Sequence, residues 1–273
     1  MTRRAIPAAV VFVSLILTAL PPTVPTLPVV AEAKIDAAET PSEEARVAVL
    51  IYHDVHPEPY NEYCVTPERL AGDLRWFLGQ GWQPLTLAEF ALWMAGDLEL
   101  SGDCMLLTFD DGYLGWAEHG YPVLRALEVP AVQFLLTGRL GRPGGVDGPP
   151  AISAAQVVAV AAEGLVTFAD HTHDLHREVD GKPLVMKVSV DVVAKDLDTS
   201  RSILSGLTGA VPVALAWPYG ASTPAAAAAA ADRYDLVFLA VDGFAGRGEP
   251  QGIPRFAIDW RDPAELPGLF PPR

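Results

Sequence analysis

The sequence predicts an α/β fold, either a (β/α) barrel or an open doubly wound sheet, on three observations. Short apolar runs recur along the chain, helical patterns separate them, and polar residues follow the end of most runs. Strands that alternate with helices usually form a parallel sheet that those helices cover. We predict seven strands, at residues 47–52, 105–109, 131–137, 165–169, 213–217, 236–241 and 256–258.

Helical patterns connect these strands. Residues 67–78 and 190–204 carry apolar side chains three and four positions apart, which places them on one face of a helix. Pro224 followed by seven alanines at 225–231 is typical of a helix start backed by the strongest helix former. Because each pattern lies between two strands, we predict crossover helices.

The N-terminus has the features of an export signal. Arg3 and Arg4 precede an apolar run at 5–20, and a Pro-rich stretch then leads to A-E-A at 31–33. The apolar run is shorter than the roughly 20 residues that a membrane span needs, which favours a signal over an uncleaved anchor. We predict a signal peptide at 1–33, a linker at 34–46 and one catalytic domain at 47–273, with no stable membrane span after cleavage.

The formal net charge of −15 excludes some partners. Residues 1–33 hold two of the 19 basic and one of the 34 acidic residues, so the remaining chain carries 17 − 33 = −16. Such a chain repels the phosphates of nucleic acid and anionic membrane surfaces. The charge is compatible with a neutral or cationic partner.

Two cysteines, Cys64 and Cys104, leave two alternatives open. An exported protein meets oxidising conditions, in which a disulfide is stable. Cys104 lies at the start of a predicted strand, however, where a buried free thiol is common. The sequence does not establish whether the two residues meet in space.

Acidic and imidazole side chains collect after two of the predicted strands. Asp110 and Asp111 end the second strand, and His171, His173 and His176 follow the fourth. Aspartates in such a position can also cap the next helix. The C-terminal ends of barrel strands share one face, where two neutral imidazoles and one carboxylate would form a catalytic metal site with open positions. We therefore predict a divalent cation, Zn²⁺ first, with Co²⁺ or Ni²⁺ as alternatives.

Three motifs in this order resemble the polysaccharide deacetylases (NodB homology, carbohydrate esterase family 4). They are T-F-D-D-G-Y at 108–113, H-T-H-D-L-H at 171–176 and W-P-Y-G at 217–220. The six-residue histidine motif and Y-H-D-V at 52–55 are most similar to the poly-β-1,6-N-acetylglucosamine deacetylase branch. The resemblance covers residues 47–260 and implies a distorted (β/α)7 barrel, in agreement with the seven strands.

The resemblance also implies roles for the residues of the first two motifs. Asp110 would be the general base on a metal-bound water, while Asp111, His171 and His176 would ligate the metal. His173 lies between the ligand positions and is expected to be a loop residue.

The resemblance implies that the third motif, W-P-Y-G, forms part of the oxyanion site and of the substrate groove. The backbone N–H of Tyr219 would stabilise the oxyanion, and Pro218 and Gly220 would form the turn around it. Trp217 and Trp260 could stack on sugar rings as substrate-binding residues, although packing inside the barrel is an equal alternative for each.

Two family features are missing from the sequence. Residues 214–217 contain no arginine where many members have one that orients the base, and no histidine occurs after His176 to act as the acid. Arg255, which we count with the substrate-binding residues, is the nearest candidate to replace the missing arginine. The alternative is that Arg255 is an ordinary surface residue. His53, after the first strand, is the candidate catalytic acid or substrate contact.

These observations predict a secreted or periplasmic, metal-dependent de-N-acetylase, anchored to the membrane if the signal is not cleaved. Its partner would be an N-acetylated polysaccharide, with poly-N-acetylglucosamine as the first candidate. Deacetylases of peptidoglycan, chitin oligomers or O-acetyl esters are alternatives with the same site. The missing arginine and late histidine leave a carbohydrate-binding pseudoenzyme as an alternative of another class.

Overall fold

The structure is a computed structural model that describes residues 45–145 and 148–273. These residues fall within one compact unit, Ser42–Arg273. The predicted signal peptide at 1–33 and the linker up to residue 44 lie outside the described residues, so both boundaries stay predictions.

The described residues form twelve strands, most of them short. They are β1 (Val47–Tyr52), β2 (Asp54–Val55), β3 (Cys64–Val65), β4 (Gln83–Pro84), β5 (Cys104–Phe109), β6 (Ala131–Leu135), β7 (Val166–Asp170), β8 (Glu178–Val179), β9 (Lys182–Pro183), β10 (Ala214–Ala216), β11 (Leu236–Phe238) and β12 (Phe256–Ala257).

Helices alternate with these strands. The α-helices are α1 (Pro67–Gly79), α2 (Leu87–Ala95), α3 (Tyr121–Leu127), α4 (Ala154–Ala162), α5 (Val190–Thr208), α6 (Pro224–Ala231) and α7 (Leu266–Leu269). A π-helical turn at Trp116–Gly120 leads into α3, and short 3₁₀ turns lie at Thr137–Arg139, Leu184–Met186, Pro218–Gly220 and Pro263–Glu265.

The main sheet contains all seven predicted strands and is parallel. Its order is β11-β10-β7-β6-β5-β1-β12, with β4 paired to the start of β5. The segment before β12 hydrogen-bonds to β11, because Leu239 N donates to Ile253 O and Ile253 N donates to Val237 O. The sheet therefore curls into a distorted barrel, which confirms the (β/α)7 prediction and excludes the open doubly wound sheet.

The connecting helices begin where the sequence predicts. Thr66 caps α1 by accepting from Arg69 N, and Pro67 takes the first helical position, where a missing N–H has no cost. Thr223 caps α6 in the same way, and the alanine run forms the helix itself. Small alanine side chains let α6 pack closely against α5 and β11.

Apolar side chains fill the barrel up to the C-terminal ends of its strands. Leu106 and Phe238 point inward, and α2 adds Phe90, whose ring lies 5.8 Å from that of Phe238. Side chains alternate along a strand, so Thr108 and Asp110 share the inward direction of Leu106. Polar groups thus replace the apolar core at the end of the strands where the site was predicted.

Cys64 and Cys104 are both buried free thiols, so they do not form a disulfide in this structure. None of the helices in the described ranges combines the length and the apolar character that crossing a bilayer requires.

Candidate functional site

A sharp turn after β5 separates the two aspartates. Asp111 and Gly112 both adopt left-handed backbone conformations, with φ of 72° and 75°. A Cβ on Gly112 would lie 2.5 Å from a methyl carbon of Leu135, so only glycine fits the second position. Asp110 consequently points into the barrel, while Asp111 points towards the loop after β7.

Asp111, His171 and His176 lie together and could hold a metal ion. One ligand atom from each is within 4.8 Å of the others. Asp111 Oδ1 lies 3.5 Å from His171 Nε2 and 3.3 Å from His176 Nε2. This oxygen is buried without a hydrogen-bond partner, and an unsatisfied buried carboxylate oxygen is costly unless a cation compensates it. The donor set fits a divalent ion such as zinc.

The tautomer of His171 also fits a ligand role. Its Nδ1–H donates to Ala216 O over 2.7 Å, which leaves the lone pair on Nε2 directed at Asp111. Burial lowers the pKa of His171 to about 4 despite the nearby Asp110 and Asp111, so the imidazole is neutral at pH 7. Neutral imidazole is the form that binds metal.

Asp110 is locked by Arg255 inside the barrel. The two terminal nitrogens of Arg255 donate to the two carboxylate oxygens, each over 2.8 Å, and Nε donates to Leu239 O. Burial alone would raise the pKa of Asp110, but the adjacent guanidinium holds it below its usual range. The surface alternative for Arg255 is therefore wrong. A direct substrate contact is wrong as well, because its side chain is fully enclosed.

His53 is paired with the buried carboxylate of Asp259. Its Nδ1 lies 2.6 Å from Asp259 Oδ2. Burial would lower the pKa of His53, but the hydrogen bond to Asp259 and its negative charge raise the pKa to about 9. The imidazole therefore carries a proton at pH 7.

The turn at Pro218–Gly220 lies beside the ligand histidines. The Tyr219 ring packs against His176 at a centroid distance of 4.5 Å, and the residue is 46% exposed. Within this short 3₁₀ turn, Tyr219 has non-helical, left-handed backbone angles, with φ of 57°. Gly220 has φ of 63°, and a Cβ there would lie 2.7 Å from Ala240 N. Gly220 therefore shapes the turn.

The two tryptophans differ in their surroundings. Trp217 is 1% exposed and packs with Leu175, Leu215 and Tyr234, so stacking on a sugar is wrong for this residue. Trp260 is 53% exposed on the rim, and its ring lies 5.8 Å from that of Tyr63. Trp260 stays a predicted substrate contact.

Asp259 is the functional candidate that sequence reasoning left without a role. It follows the last strand of the barrel, as Asp110 and Asp111 follow β5, and that position was the available signal. His173 lies outside the metal cluster, and its Nδ1 is 3.0 Å from Thr137 Oγ1, as expected of a loop residue.

Part of the chain is similar in sequence to known proteins. Residues 97–237 match the family model described as polysaccharide deacetylase. The chain is 28% identical over 171 residues to the poly-β-1,6-N-acetyl-D-glucosamine N-deacetylase of Staphylococcus aureus. These aligned residues span 62% of this chain and 58% of that protein. The match thus covers less than two thirds of the relative.

Solved structures share the barrel over most of the described chain. The structure of IcaB from Ammonifex degensii has a TM-score of 0.75 and 26% identity, covering 83% of this chain and 96% of that one. The de-N-acetylase from Aggregatibacter actinomycetemcomitans has a TM-score of 0.72, 21% identity and coverage of 82% and 100%. At that identity, the second structure supports the fold alone.

Proposed function

Because this chain belongs to the polysaccharide deacetylase family, we propose that it hydrolyses the N-acetyl groups of an N-acetylhexosamine polysaccharide. The products would be acetate and free amino groups on the polymer. The observation that carries this proposal is the unpartnered, buried Asp111 Oδ1 facing two imidazole Nε2 atoms, beside an aspartate locked by arginine.

Asp111, His171 and His176 would hold the metal. A divalent ion bound there would polarise the acetamide carbonyl and lower the pKa of the attacking water. We place Zn²⁺ first, with Co²⁺ and Ni²⁺ as alternatives, because two imidazoles and one carboxylate suit all three.

Asp110 would act as the general base. The bidentate pair with Arg255 keeps its carboxylate ionised and fixes its orientation, so it is ready to accept a proton from water. Arg255 thereby does the work of the missing family arginine from a different position in the chain.

His53 would act as the general acid. A protonated imidazole can donate to the departing amine nitrogen, and its pairing with Asp259 both keeps it protonated and orients the ring. Asp110 and His53 thus have pKa values pushed in opposite directions, a pattern that assigns a base and an acid.

The Tyr219 N–H would stabilise the negative charge that develops on the carbonyl oxygen. A donor of this kind contributes about 3–4 kcal/mol of transition-state stabilisation. The exposed face of Trp260 would take up a sugar ring at the edge of the site.

We propose poly-β-1,6-N-acetylglucosamine as the first substrate, because the histidine motif and the staphylococcal relative both point there. We also propose a secreted or periplasmic location from the predicted signal peptide. The pseudoenzyme alternative was motivated by a missing arginine and a missing late histidine, and we propose that Arg255 and His53 supply these two groups.

The test is acetate release from poly-N-acetylglucosamine, chitin oligomers and peptidoglycan fragments, with Zn²⁺ and with a chelator. We expect release from the first polymer, loss of release with chelator, and loss in Asp110→Asn with the metal still bound. Zinc-loaded protein that releases no acetate from any amino sugar would refute the enzyme proposal. Faster release from chitin or peptidoglycan would refute only the choice of polymer.

A further inference from the structure

The loop that carries both histidine ligands has no regular secondary structure. Residues 171–176 follow β7 without a helix, and Thr172 has a left-handed φ of 77°. In a helix, the backbone would set the spacing between two ligands on one face. Here the distance between His171 and His176 must be set by contacts that hold the loop.

Asp196, on the long helix α5, holds the middle of this loop. Its Oδ1 accepts from His173 N over 2.8 Å, and its Oδ2 accepts from Asp174 N over 2.9 Å. One carboxylate thus binds two successive N–H groups that lie between the ligands, and hydrogen bonds to a charged acceptor are the stronger kind.

The helix gives this carboxylate a fixed position. Val193 and Leu197, on either side of Asp196, are buried in the cluster between α5 and α6. Ser200, one turn further along α5, is within hydrogen-bond distance of Thr137 Oγ1, which also contacts His173. Hydrogen bonds therefore connect the loop to the rigid helix α5 through residues 173 and 174, which lie between the two ligands.

We propose that Asp196 is a positioning residue that sets the separation of His171 and His176 and thereby the affinity for the metal. The inference rests on the proposed metal site and deepens it. Contacts that orient ligands without touching the metal typically change metal affinity by 10- to 100-fold when they are removed.

The experiment measures the Kd of Zn²⁺ by competition with a chromophoric chelator, using the full chain and its variants. We expect Asp196→Ala to weaken binding by about 10- to 100-fold. Asp196→Asn should lie between this variant and the wild type, because its amide keeps one acceptor oxygen. The matched control is Asp198→Asn, because Asp198 lies on the same helix as Asp196 but forms an exposed ion pair with Arg233, which lies after α6. This change should leave the Kd within about twofold.

Two further readouts separate positioning from folding. The melting temperature of chelator-treated Asp196→Asn should stay close to that of wild type, and the visible spectrum of its Co²⁺ form should change in band position or intensity. An unchanged Kd in both Asp196 variants, or an equal loss in Asp198→Asn, would overturn the inference. Wild-type protein that binds no Zn²⁺ would instead refute the proposed metal site, and this inference with it.

Discussion

Replacing Asp259 by asparagine tests whether a buried carboxylate keeps His53 protonated. Asp259, with further contributions from Asp110 and Asp111, raises the pKa of His53 from 6.5 to about 9 against the effect of burial. A difference of that size corresponds to about 3 kcal/mol in favour of the imidazolium. In Asp259→Asn the paired charge is removed, and only Asp110 and Asp111 still oppose burial, so we expect the pKa of His53 to fall towards its ordinary value of 6.5.

The fall in pKa has a defined effect on the rate. At pH 8, a group of pKa 9 is about 90% protonated, whereas one of pKa 6.5 is about 3% protonated, so the rate should drop about 30-fold. At pH 6 the deficit should shrink to about 1.3-fold, because about three quarters of the imidazole with a pKa of 6.5 is protonated again. The assay is acetate release between pH 5 and 10, together with an NMR titration in which His53→Gln identifies the signal.

A matched control comes from the same rim. Asp242 forms an exposed ion pair with Arg261, so Asp242→Asn removes a carboxylate without removing the partner of His53. An Asp259→Asn protein whose His53 still titrates near 9, or whose alkaline limb stays in place, would refute the reasoning.

The same pair makes stability depend on pH. Because the folded pKa of His53 is raised, its stabilising contribution is fully present below pH 6.5 and is lost as the pH rises through about 9. Urea denaturation of wild type should therefore show a decline between these values, and the decline should be absent in His53→Gln. An identical decline in both proteins would assign it to another group.

Three other perturbations have defined outcomes. Arg255→Met should lower the free energy of unfolding by about 3–5 kcal/mol in urea denaturation, because Asp110 keeps a buried charge without its partner, while Arg255→Lys should cost less. Zn²⁺ at 100 times its Kd should raise Tm by roughly 5–10 °C in calorimetry, reversibly with chelator, since about 2.7 kcal/mol of binding energy favours the folded state. Gly220→Ala should destabilise the protein by about 1–3 kcal/mol, because φ is positive and Ala240 blocks the Cβ, whereas Gly206→Ala, within α5 and in open space, should gain up to about 1 kcal/mol. No zinc-dependent shift in Tm, or equal effects of the two glycine variants, would contradict these expectations.

The sequence by itself determined the strand and helix pattern of an α/β fold, and its three motifs identified the residues of the proposed metal site. Each strand and each helix is recognisable from the spacing of apolar residues that are close together in the sequence, so no contact between distant residues is needed to predict it. Their alternation along the chain then predicts a parallel sheet. The aspartate pair and the three histidines after two strands indicated a metal site, and the family resemblance implied that Asp111, His171 and His176 are the ligands.

The tertiary structure alone decided how Asp110 and His53 are held. Arg255 meets Asp110 across 145 positions, and Asp259 meets His53 across 206. No local period records such pairs, because they arise only when the barrel closes and brings its first and last strands together. The same closure buries Trp217 and leaves Trp260 exposed. Both tryptophans lie at the ends of strands, so the sequence could not predict which of them is buried.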